Sequence, residues 1–174
     1  MQFEEIYNEH KKLVYNLALQ YVQNIEDAEE ITQDVFVSVY EKLDSFRQES
    51  KHSTWLYRIT INKSLDFIKA KKRQRRFSFL TSLFHDESNE PKHLVSDFNH
   101  PGVMMEEKEQ LKNLFAQINS LPDNQKTALI LMKIEEKSQV ETAEIMNMTP
   151  KAVESLVQRA KSNLAKKLNP NEGK

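Results

Sequence analysis

Residues that make sharp turns are scarce along this chain. Its 174 residues include only two Gly and five Pro, which favours long helices joined by short connections. An apolar content of 39% is enough for compact cores in a chain of this length. We therefore predict an all-α fold with two small helical domains joined by a flexible linker, the second domain containing a helix-turn-helix.

Apolar side chains recur at intervals of three and four residues in the first third of the chain, the spacing of one helix face. In the first predicted helix this stripe is Phe3, Ile6, Tyr7, His10, Leu13, Val14, Leu17, Ala18 and Tyr21. In the second, over residues 26 to 43, it is Ala28, Ile31, Val35, Phe36, Val39 and Leu43. Both stripes should form the core of the first domain.

Charge changes sign within that domain. Residues 1 to 50 carry eleven Asp and Glu against four Lys and Arg, whereas residues 51 to 76 carry nine Lys and Arg against one acid. The acids on the outer side of the second helix form an acidic ridge, defined as Asp27, Glu30, Asp34 and Glu41. An acidic ridge suits a basic protein surface and a basic segment suits nucleic acid, so the chain should have two different partners. The alternative for the ridge is a solvated acidic face.

The third predicted helix begins near Ser53 or Thr54, either of which could be its N-cap, and runs through residue 76. Trp55, Arg58, Asn62 and Lys69 lie on one stripe of this helix. That stripe offers an aromatic face, a charge and an amide to unpaired bases. The alternative for Trp55 is a core aromatic.

Regular periodicity fails from residue 77 to residue 105, a segment that contains Pro91, Pro101 and Gly102. We interpret it as a linker, with a short helical tail packed on the first domain as the alternative. Further helices are predicted at residues 106 to 119, 123 to 135, 138 to 146 and 150 to 168.

The last two of these helices flank the turn Asn147-Met148-Thr149, which predicts a helix-turn-helix with Thr149 as the cap. The predicted buried stripe of the final helix is Val153, Leu156, Val157, Ala160, Leu164 and Leu168. The predicted outer face is Lys151, Glu154, Ser155, Gln158, Arg159, Lys161 and Ser162. Such a face can reach phosphates and base edges in the major groove, although an ordinary bundle helix could have a similar solvated face.

No pattern of catalytic residues emerges. The chain has no Cys, its five His show no metal-site spacing, and neither a phosphate-binding Gly loop nor a nucleophile elbow occurs. We predict a protein that is not an enzyme and needs no metal or cofactor. The start of the chain does not resemble a signal peptide, and no stretch approaches the roughly 20 apolar residues of a membrane span. A cytoplasmic protein without membrane insertion is the expectation.

Two blocks carry a family resemblance. DAEEITQDVFVSVYEKLDSF (27 to 46) and STWLYRITINKSLD (53 to 66) resemble the second conserved region of extracytoplasmic-function (ECF) sigma factors, and residues 118 to 168 resemble their fourth region. Two blocks in the family's order and spacing are far more specific than a lone helix-turn-helix. The resemblance implies sigma region 2 at residues 1–76, a linker at 77–105 in place of the third region, and region 4 at 106–170.

Such a sigma factor binds core RNA polymerase and directs promoter-specific initiation. The resemblance implies that region 2 binds the clamp helices of the largest subunit and melts and reads the minus-ten element. It implies that region 4 reads minus-thirty-five duplex DNA and meets the flap of the second-largest subunit. It also implies an anti-sigma factor, which can be membrane-anchored. The alternatives are a dimeric helix-turn-helix regulator without a polymerase role and a helical adaptor.

Site residues follow from the positions that match. The implied polymerase contacts are Asp27, Glu30, Gln33, Asp34 and Phe36. The implied minus-ten DNA contacts are Arg47, Lys51, His52, Trp55, Arg58, Asn62, Lys63, Lys69, Lys72 and Arg73. The implied minus-thirty-five contacts are Thr149, Lys151, Ser155, Gln158, Arg159, Lys161 and Ser162. Three residues depart from the usual pattern, namely Thr142 in place of Ile, Asn147 in place of Gly, and Glu154 in place of a basic residue.

Overall fold

The computed structural model of the protein describes residues 3–45, 51–84 and 105–168. Within these ranges the chain forms α-helices and no β-strand, which confirms the predicted all-α class. The helices are α1 (Phe3–Val22), α2 (Ile25–Lys42), α3 (His52–Phe84), α4 (Met105–Asn119), α5 (Asp123–Leu129), α6 (Gln139–Met146) and α7 (Pro150–Leu168). A 3₁₀ turn (Leu43–Ser45) follows α2, and a π turn (Ile130–Ile134) continues α5. None of the helices in these ranges is long and apolar enough to cross a membrane.

Helices α1, α2 and the first half of α3 pack around one apolar cluster. Its buried members are Ile6, Val14, Ala18, Leu19, Ala28, Ile31, Val35, Phe36, Val39 and Leu56. Most of the two predicted stripes is therefore confirmed as core. The prediction is wrong for Tyr7, which is 40% exposed, because this position lies at the edge of the contact between α1 and α2.

Helix α3 differs from its predicted bounds at both ends. The backbone N–H of Trp55 donates to the carbonyl of Lys51 at 3.2 Å, so the helix begins before Ser53 and Thr54, and the prediction that either is the N-cap is wrong. At the other end α3 continues to Phe84, so the first eight residues assigned to the linker are helical. No Gly or Pro interrupts residues 77 to 84, and the helix can therefore propagate.

The helical tail that the alternative proposed is present, but two of its aromatic side chains are largely exposed and are not buried on the first domain. Phe77 is 69% exposed and Phe79 is 63% exposed. Residues 85–104 of the predicted linker lie outside the described residues.

Helix α5 was predicted to run unchanged from residue 123 to residue 135. Instead its second part is the π turn, in which the N–H of Glu135 donates to the carbonyl of Ile130, five residues earlier, at 2.9 Å. Pro122 precedes the helix with φ −53°, a value its ring imposes, and leads the chain into the first helical turn.

The helix-turn-helix is confirmed with its caps. Ser138 and Glu141 form a capping box that starts α6, and hydrogen bonds from Ser138 hold the pKa of the Glu141 carboxyl below its usual value. Asn147 ends α6 in the left-handed conformation (φ 53°, ψ 49°), a geometry that Asn tolerates where Gly is usual. Thr149 Oγ1 then accepts a hydrogen bond from the N–H of Ala152 at 3.2 Å, which confirms Thr149 as the cap of α7.

In α7, Val153, Val157 and Ala160 are buried as predicted, while Leu156 and Leu164 are half-buried. The prediction is wrong for Leu168, which is 45% exposed because it lies in the last helical turn beyond the packed part of α7.

A shared cluster joins the two halves of the chain. The first half contributes Leu17, Tyr21, Tyr57 and Ile61. The second half contributes Phe115, Ile118, Leu121, Leu129, Ile130, Leu131, Ile145 and Ala160. The second half of the chain therefore packs against the first half, and α6 of the helix-turn-helix contacts α3 directly.

Thr142, one of the departures from the family pattern, is completely buried in α6, and its Oγ1 has no hydrogen-bond partner among the described residues. A buried hydroxyl without a partner costs about 1–3 kcal/mol. Thr142→Val keeps the shape and removes the hydroxyl, so we expect calorimetry to show a melting temperature higher by roughly 2–4 °C per kcal/mol recovered.

Thr60→Val is the matched control, because Thr60 is equally buried but its Oγ1 donates to the carbonyl of Leu56 at 2.8 Å. That variant should be neutral or less stable. A Thr142→Val protein that melts no higher than the parent would show that the hydroxyl finds a partner.

Candidate nucleic-acid interface

The acidic ridge is largely open to solvent. Glu30, Gln33 and Asp34 are exposed along α2, together with Glu41. Asp27 is half-buried at the start of α2, where its N–H donates to the capping Oδ1 of Asn24 at 2.9 Å and its carboxylate pairs with the ammonium of Lys71. The ridge thus presents a negative surface, and its first residue, Asp27, is already paired with Lys71.

Phe36 lies beneath this surface. Its side chain is only 4% exposed, and its ring packs edge-on against the ring of Tyr7 with centroids 4.8 Å apart. Phe36, one of the five predicted polymerase contacts, therefore lies in the core. Its ring packs between α2 and α1 on the side of α2 opposite the ridge.

The predicted DNA stripe of α3 is divided between two environments. Trp55 is half-buried and packs against the core of the first domain, whereas Arg58 and Asn62 face the helix-turn-helix unit. Arg58 donates from Nη2 to the carbonyl of Glu144 at 2.6 Å and from Nε to the carbonyl of Ile145 at 3.1 Å. The stripe is thus covered in part by the second half of the chain.

A cavity of about 380 Å³ lies between α3, α5 and α6. Arg58 and Asn62 line it from α3, and Asn124, Thr127 and Asn147 line it from the other side. The side chain of Asn62 is exposed, and the cavity that it lines lies between the two halves of the chain.

The other predicted minus-ten residues within the described ranges form a basic track along α3, with Lys51 just before its first residue. Lys69 pairs with Asp123 of α5 at 3.1 Å between Nζ and Oδ2. Lys51, Lys72 and Arg73 are exposed, while His52 and Lys63 are half-buried. Arg47 lies outside the described residues.

The outer face of α7 is exposed at every predicted position. These exposed residues are Thr149, Lys151, Ser155, Gln158, Arg159, Lys161 and Ser162. The hydroxyl of Ser155 donates to the carbonyl of Lys151 at 3.0 Å, which leaves Gln158 as the free amide on this face. Glu154 is also exposed, one helical turn before Gln158, so it adds a negative charge beside the basic residues.

Sequence reasoning missed the polar contacts between the two halves. The Tyr21 hydroxyl lies 2.8 Å from Thr127 Oγ1, Tyr57 donates to Glu135 at 3.1 Å, and Asn119 donates to Gln23 at 2.7 Å. Burial raises the pKa of the Tyr21 hydroxyl, and burial together with Glu135 raises that of Tyr57. These partners are far apart in sequence, so no local pattern could have indicated them.

The described part of the chain contains no group of three or more His, Cys, Asp or Glu side chains that could hold a metal ion. The exposed surfaces described above can contact a partner through charged groups, amides and aromatic rings.

Comparison with protein families identifies both halves. The family Sigma-70 region 2 matches residues 6–74, and the family Sigma-70, region 4 matches residues 111–164. The chain is 32% identical over 170 residues to the ECF RNA polymerase sigma factor SigW of Bacillus subtilis, covering 95% of this chain and 88% of that one. It is 30% identical over 162 residues to the ECF RNA polymerase sigma-E factor of Escherichia coli K12, covering 93% and 83%.

Solved structures show the same fold. CnrH in complex with the cytosolic domain of CnrY superposes with a TM-score of 0.64 at 21% identity, over 97% of this chain and 88% of that one. RpoE of Bartonella quintana in complex with the anti-sigma factor NepR superposes with a TM-score of 0.63 at 22% identity, over 97% and 98%. The two family matches, together with the relatives from Bacillus subtilis and Escherichia coli, show that the chain belongs to the ECF sigma factors of the sigma-70 family, which give RNA polymerase its promoter specificity.

Proposed function

We propose that this sigma factor binds core RNA polymerase through the acidic ridge of α2, reads minus-thirty-five duplex DNA with α7, and melts and reads the minus-ten element with α3. The observation that carries this proposal is the separation of two exposed surfaces of opposite charge, one on α2 and one on α7. In this role the protein catalyses no reaction of its own.

The acidic ridge supports the polymerase contact. Glu30, Gln33 and Asp34 are exposed side by side, and the half-buried Asp27 extends the surface toward Lys71. A surface of this charge is complementary to a basic helical partner, and the clamp helices of the largest subunit are the partner we propose. Region 4 would meet the flap of the second-largest subunit.

The basic outer face of α7 supports duplex recognition. Lys151, Arg159 and Lys161 can hold phosphates, which fixes the helix in the groove without selecting sequence. Gln158 can donate to and accept from a base edge, so it is the residue we propose for reading sequence. Thr149, Ser155 and Ser162 would contribute further polar contacts at the same groove.

For the minus-ten element we propose Asn62 as the reader of an unpaired base, with Trp55 and Arg58 beside it. Lys63, Lys69, Lys72 and Arg73 would follow the phosphate backbone, as would Arg47, Lys51 and His52 at the start of the helix. Residues 72 to 79 are exposed on all sides of α3, which leaves Lys72 and Arg73 at the end of this track accessible to a polyanion.

The proposed division is region 2 at residues 1–76, a linker at 77–105 and region 4 at 106–170. Helix α3 passes through the first of these boundaries and continues to Phe84. We also propose an anti-sigma partner, because the structural neighbour RpoE was solved in complex with the anti-sigma factor NepR, and CnrH was solved in complex with the cytosolic domain of CnrY. The cytoplasm is the compartment we propose.

In vitro transcription with core enzyme and a pool of promoter fragments tests the function. The protein should confer initiation at a subset of promoters, and core enzyme alone should not. A duplex-binding regulator would bind some fragments yet leave initiation by core unchanged, and that result would overturn the proposal.

Reversing the charge of the ridge should weaken core binding. We expect Asp34→Lys to lower affinity for core polymerase by about tenfold, with a larger effect at low salt, since exposed charges at a protein interface act through complementarity and steering. Binding can be measured by fluorescence anisotropy of labelled protein at several salt concentrations.

Glu9→Lys is the matched control, because Glu9 is an exposed acid on α1 outside the ridge. Equal affinities for core in the two variants would argue against the ridge as the contact.

A further inference from the structure

Asp27 differs from the other acids of the ridge in what its carboxylate contacts. The other acids are exposed, whereas the side chain of Asp27 is only 18% exposed and pairs with the ammonium of Lys71 in α3. We propose that Asp27 is a positioning residue for promoter opening and not a polymerase contact: through Lys71 it fixes the direction in which the basic end of α3 leaves the first domain. The basic end is defined as Lys72, Arg73, Arg75 and Arg76. This proposal rests on the proposed function and narrows its polymerase surface to the exposed residues of α2.

Both partners of the ion pair are held by their own surroundings. Asp27 lies in the first turn of α2, where its N–H donates to Asn24 Oδ1 at 2.9 Å and the positive end of the helix favours a carboxylate. The Nζ of Lys71 lies 5.6 Å from the centre of the Phe67 ring, which packs against the core of the first domain. A carboxylate and an aromatic face together therefore fix the ammonium. Because the pair is partly buried, salt screens it less than it screens a surface pair.

The pair lies where α3 leaves the body of the first domain. Before it along the helix, Ser64 is buried and Phe67 and Ile68 are half-buried. After it, residues 72 to 79 are all exposed. The pair therefore ties α3 to the start of α2 at the point where the helix enters solvent.

The basic end needs such a tie because its own charges oppose an ordered helix. Residues 69 to 76 contain six Lys and Arg and no acid. Lys71 and Arg75 are four positions apart, and like charges at this spacing destabilise a helix. The carboxylate of Asp27 offsets the charge of Lys71, so the helix can continue unbroken into the exposed segment.

Two effects of Asp27 on DNA binding have opposite signs. As a charge, its carboxylate repels phosphates and occupies Lys71, so its removal would strengthen binding. As a positioning group, it holds four exposed cations in line with the DNA backbone, so its removal would weaken binding. Each phosphate contact releases roughly 0.9 counterion, so the alignment of four cations outweighs the release of a single half-buried lysine. We therefore expect positioning to dominate.

Two substitutions that change the charge in opposite directions test this expectation. Asp27→Asn and Lys71→Met each remove the ion pair, and Met keeps most of the length of the lysine stem. With core enzyme, both should lower open-complex formation by about three- to tenfold, and the double variant should be no worse than either single variant. Affinity for core polymerase should stay within about twofold of the parent, in contrast to Asp34→Lys.

Matched controls separate the ion pair from its charges. Lys71→Arg keeps a cation opposite Asp27 and should open promoters as well as the parent. Asp66→Asn removes an exposed acid from α3 itself and should open them at least as well. Calorimetry checks that every variant is folded, since one partly exposed ion pair contributes little to global stability.

The direction of α3 can be measured without polymerase. The chain has no Cys, so spin labels at Glu29→Cys and Ser78→Cys, both exposed positions, are specific. The distance distribution between the labels should be narrow in the parent background and broader in both the Asp27→Asn and the Lys71→Met backgrounds. Lys71→Arg should keep it narrow.

The outcomes separate positioning from its alternatives. Stronger promoter binding by Asp27→Asn with weaker binding by Lys71→Met would overturn the proposal in favour of a simple charge effect. A loss of core affinity in Asp27→Asn as large as that in Asp34→Lys would overturn it in favour of a polymerase contact. Unchanged promoter opening in both single variants, or an equally narrow label distribution, would overturn it as well. If the parent protein neither joins core nor supports initiation, the proposed function fails, while the label distances still decide whether the ion pair orients α3.

Discussion

Asn62→Ala should lower the formation of open promoter complexes by about tenfold or more, with affinity for core polymerase nearly unchanged. The Asn62 side chain is exposed, and its amide can both donate to and accept from the edge of an unpaired base. A tenfold loss corresponds to about 1.4 kcal/mol, within the range of a lost contact to one base. Permanganate reactivity of thymines in the bubble measures the effect, and Asn8→Ala, an exposed amide on α1, is the matched control.

Trp55 provides the comparison that separates reading from melting. Because Trp55 packs partly against the first core, Trp55→Ala will also reduce stability, and Trp55→Phe should be measured beside it. A promoter with a pre-melted bubble should rescue part of the Trp55→Ala defect if Trp55 assists melting, and little of the Asn62→Ala defect if Asn62 reads the base. If both Ala variants open duplex promoters as well as the parent protein does, this part of α3 has only a structural role in the core, and its assignment to the minus-ten element is wrong.

The second large effect is expected at α7. Arg159→Ala/Lys161→Ala should weaken binding to every minus-thirty-five fragment to a similar degree. It should also reduce the slope of the logarithm of affinity against the logarithm of salt concentration by about 2, since roughly 0.9 counterion is released per phosphate contact. Gln158→Ala should instead change the ranking among minus-thirty-five variants, by roughly 1–3 kcal/mol at the position it reads.

Lys166→Ala is the control for charge, because Lys166 is exposed in the last turn of α7, one helical turn after Ser162, the last of the proposed contacts. Electrophoretic mobility shifts at several salt concentrations, over a panel of single-base variants, would measure both effects. If Gln158→Ala and the double variant act alike on every sequence, the division between phosphate contacts and base reading is wrong.

Local features made much of the fold predictable from sequence. The two apolar stripes predicted α1 and α2, and the turn of the helix-turn-helix was predicted from Asn147 and Thr149, whose backbone and capping roles depend on near neighbours. The exposed face of α7 followed from helical spacing alone. Each of these features depends on residues within a few positions of one another.

Features that depend on distant residues were not predicted. The contact of Arg58 with α6 joins residues 86 and 87 positions apart, and the Tyr21 contact with Thr127 joins residues 106 positions apart. Charge and spacing indicated that Arg58 could contact nucleic acid. They could not show that its guanidinium donates hydrogen bonds to backbone carbonyls of α6 in the same chain. Phe36 was assigned both to the apolar stripe and to the polymerase surface, and burial places it with the stripe.

The π turn at Ile130–Ile134 has a consequence for building chimaeric sigma factors. Its hydrogen bond spans five residues where an α-helix spans four, so it accommodates one extra residue, and each helical residue turns the chain by about 100°. A chimaera designed with a regular helix over residues 123 to 135 would have one residue fewer in this segment. Glu135 would then turn away from the Tyr57 hydroxyl, from which it accepts a hydrogen bond. Exchanges of DNA-reading helices should therefore be joined after this turn, at Ser138, where a capping box begins a new helix independently.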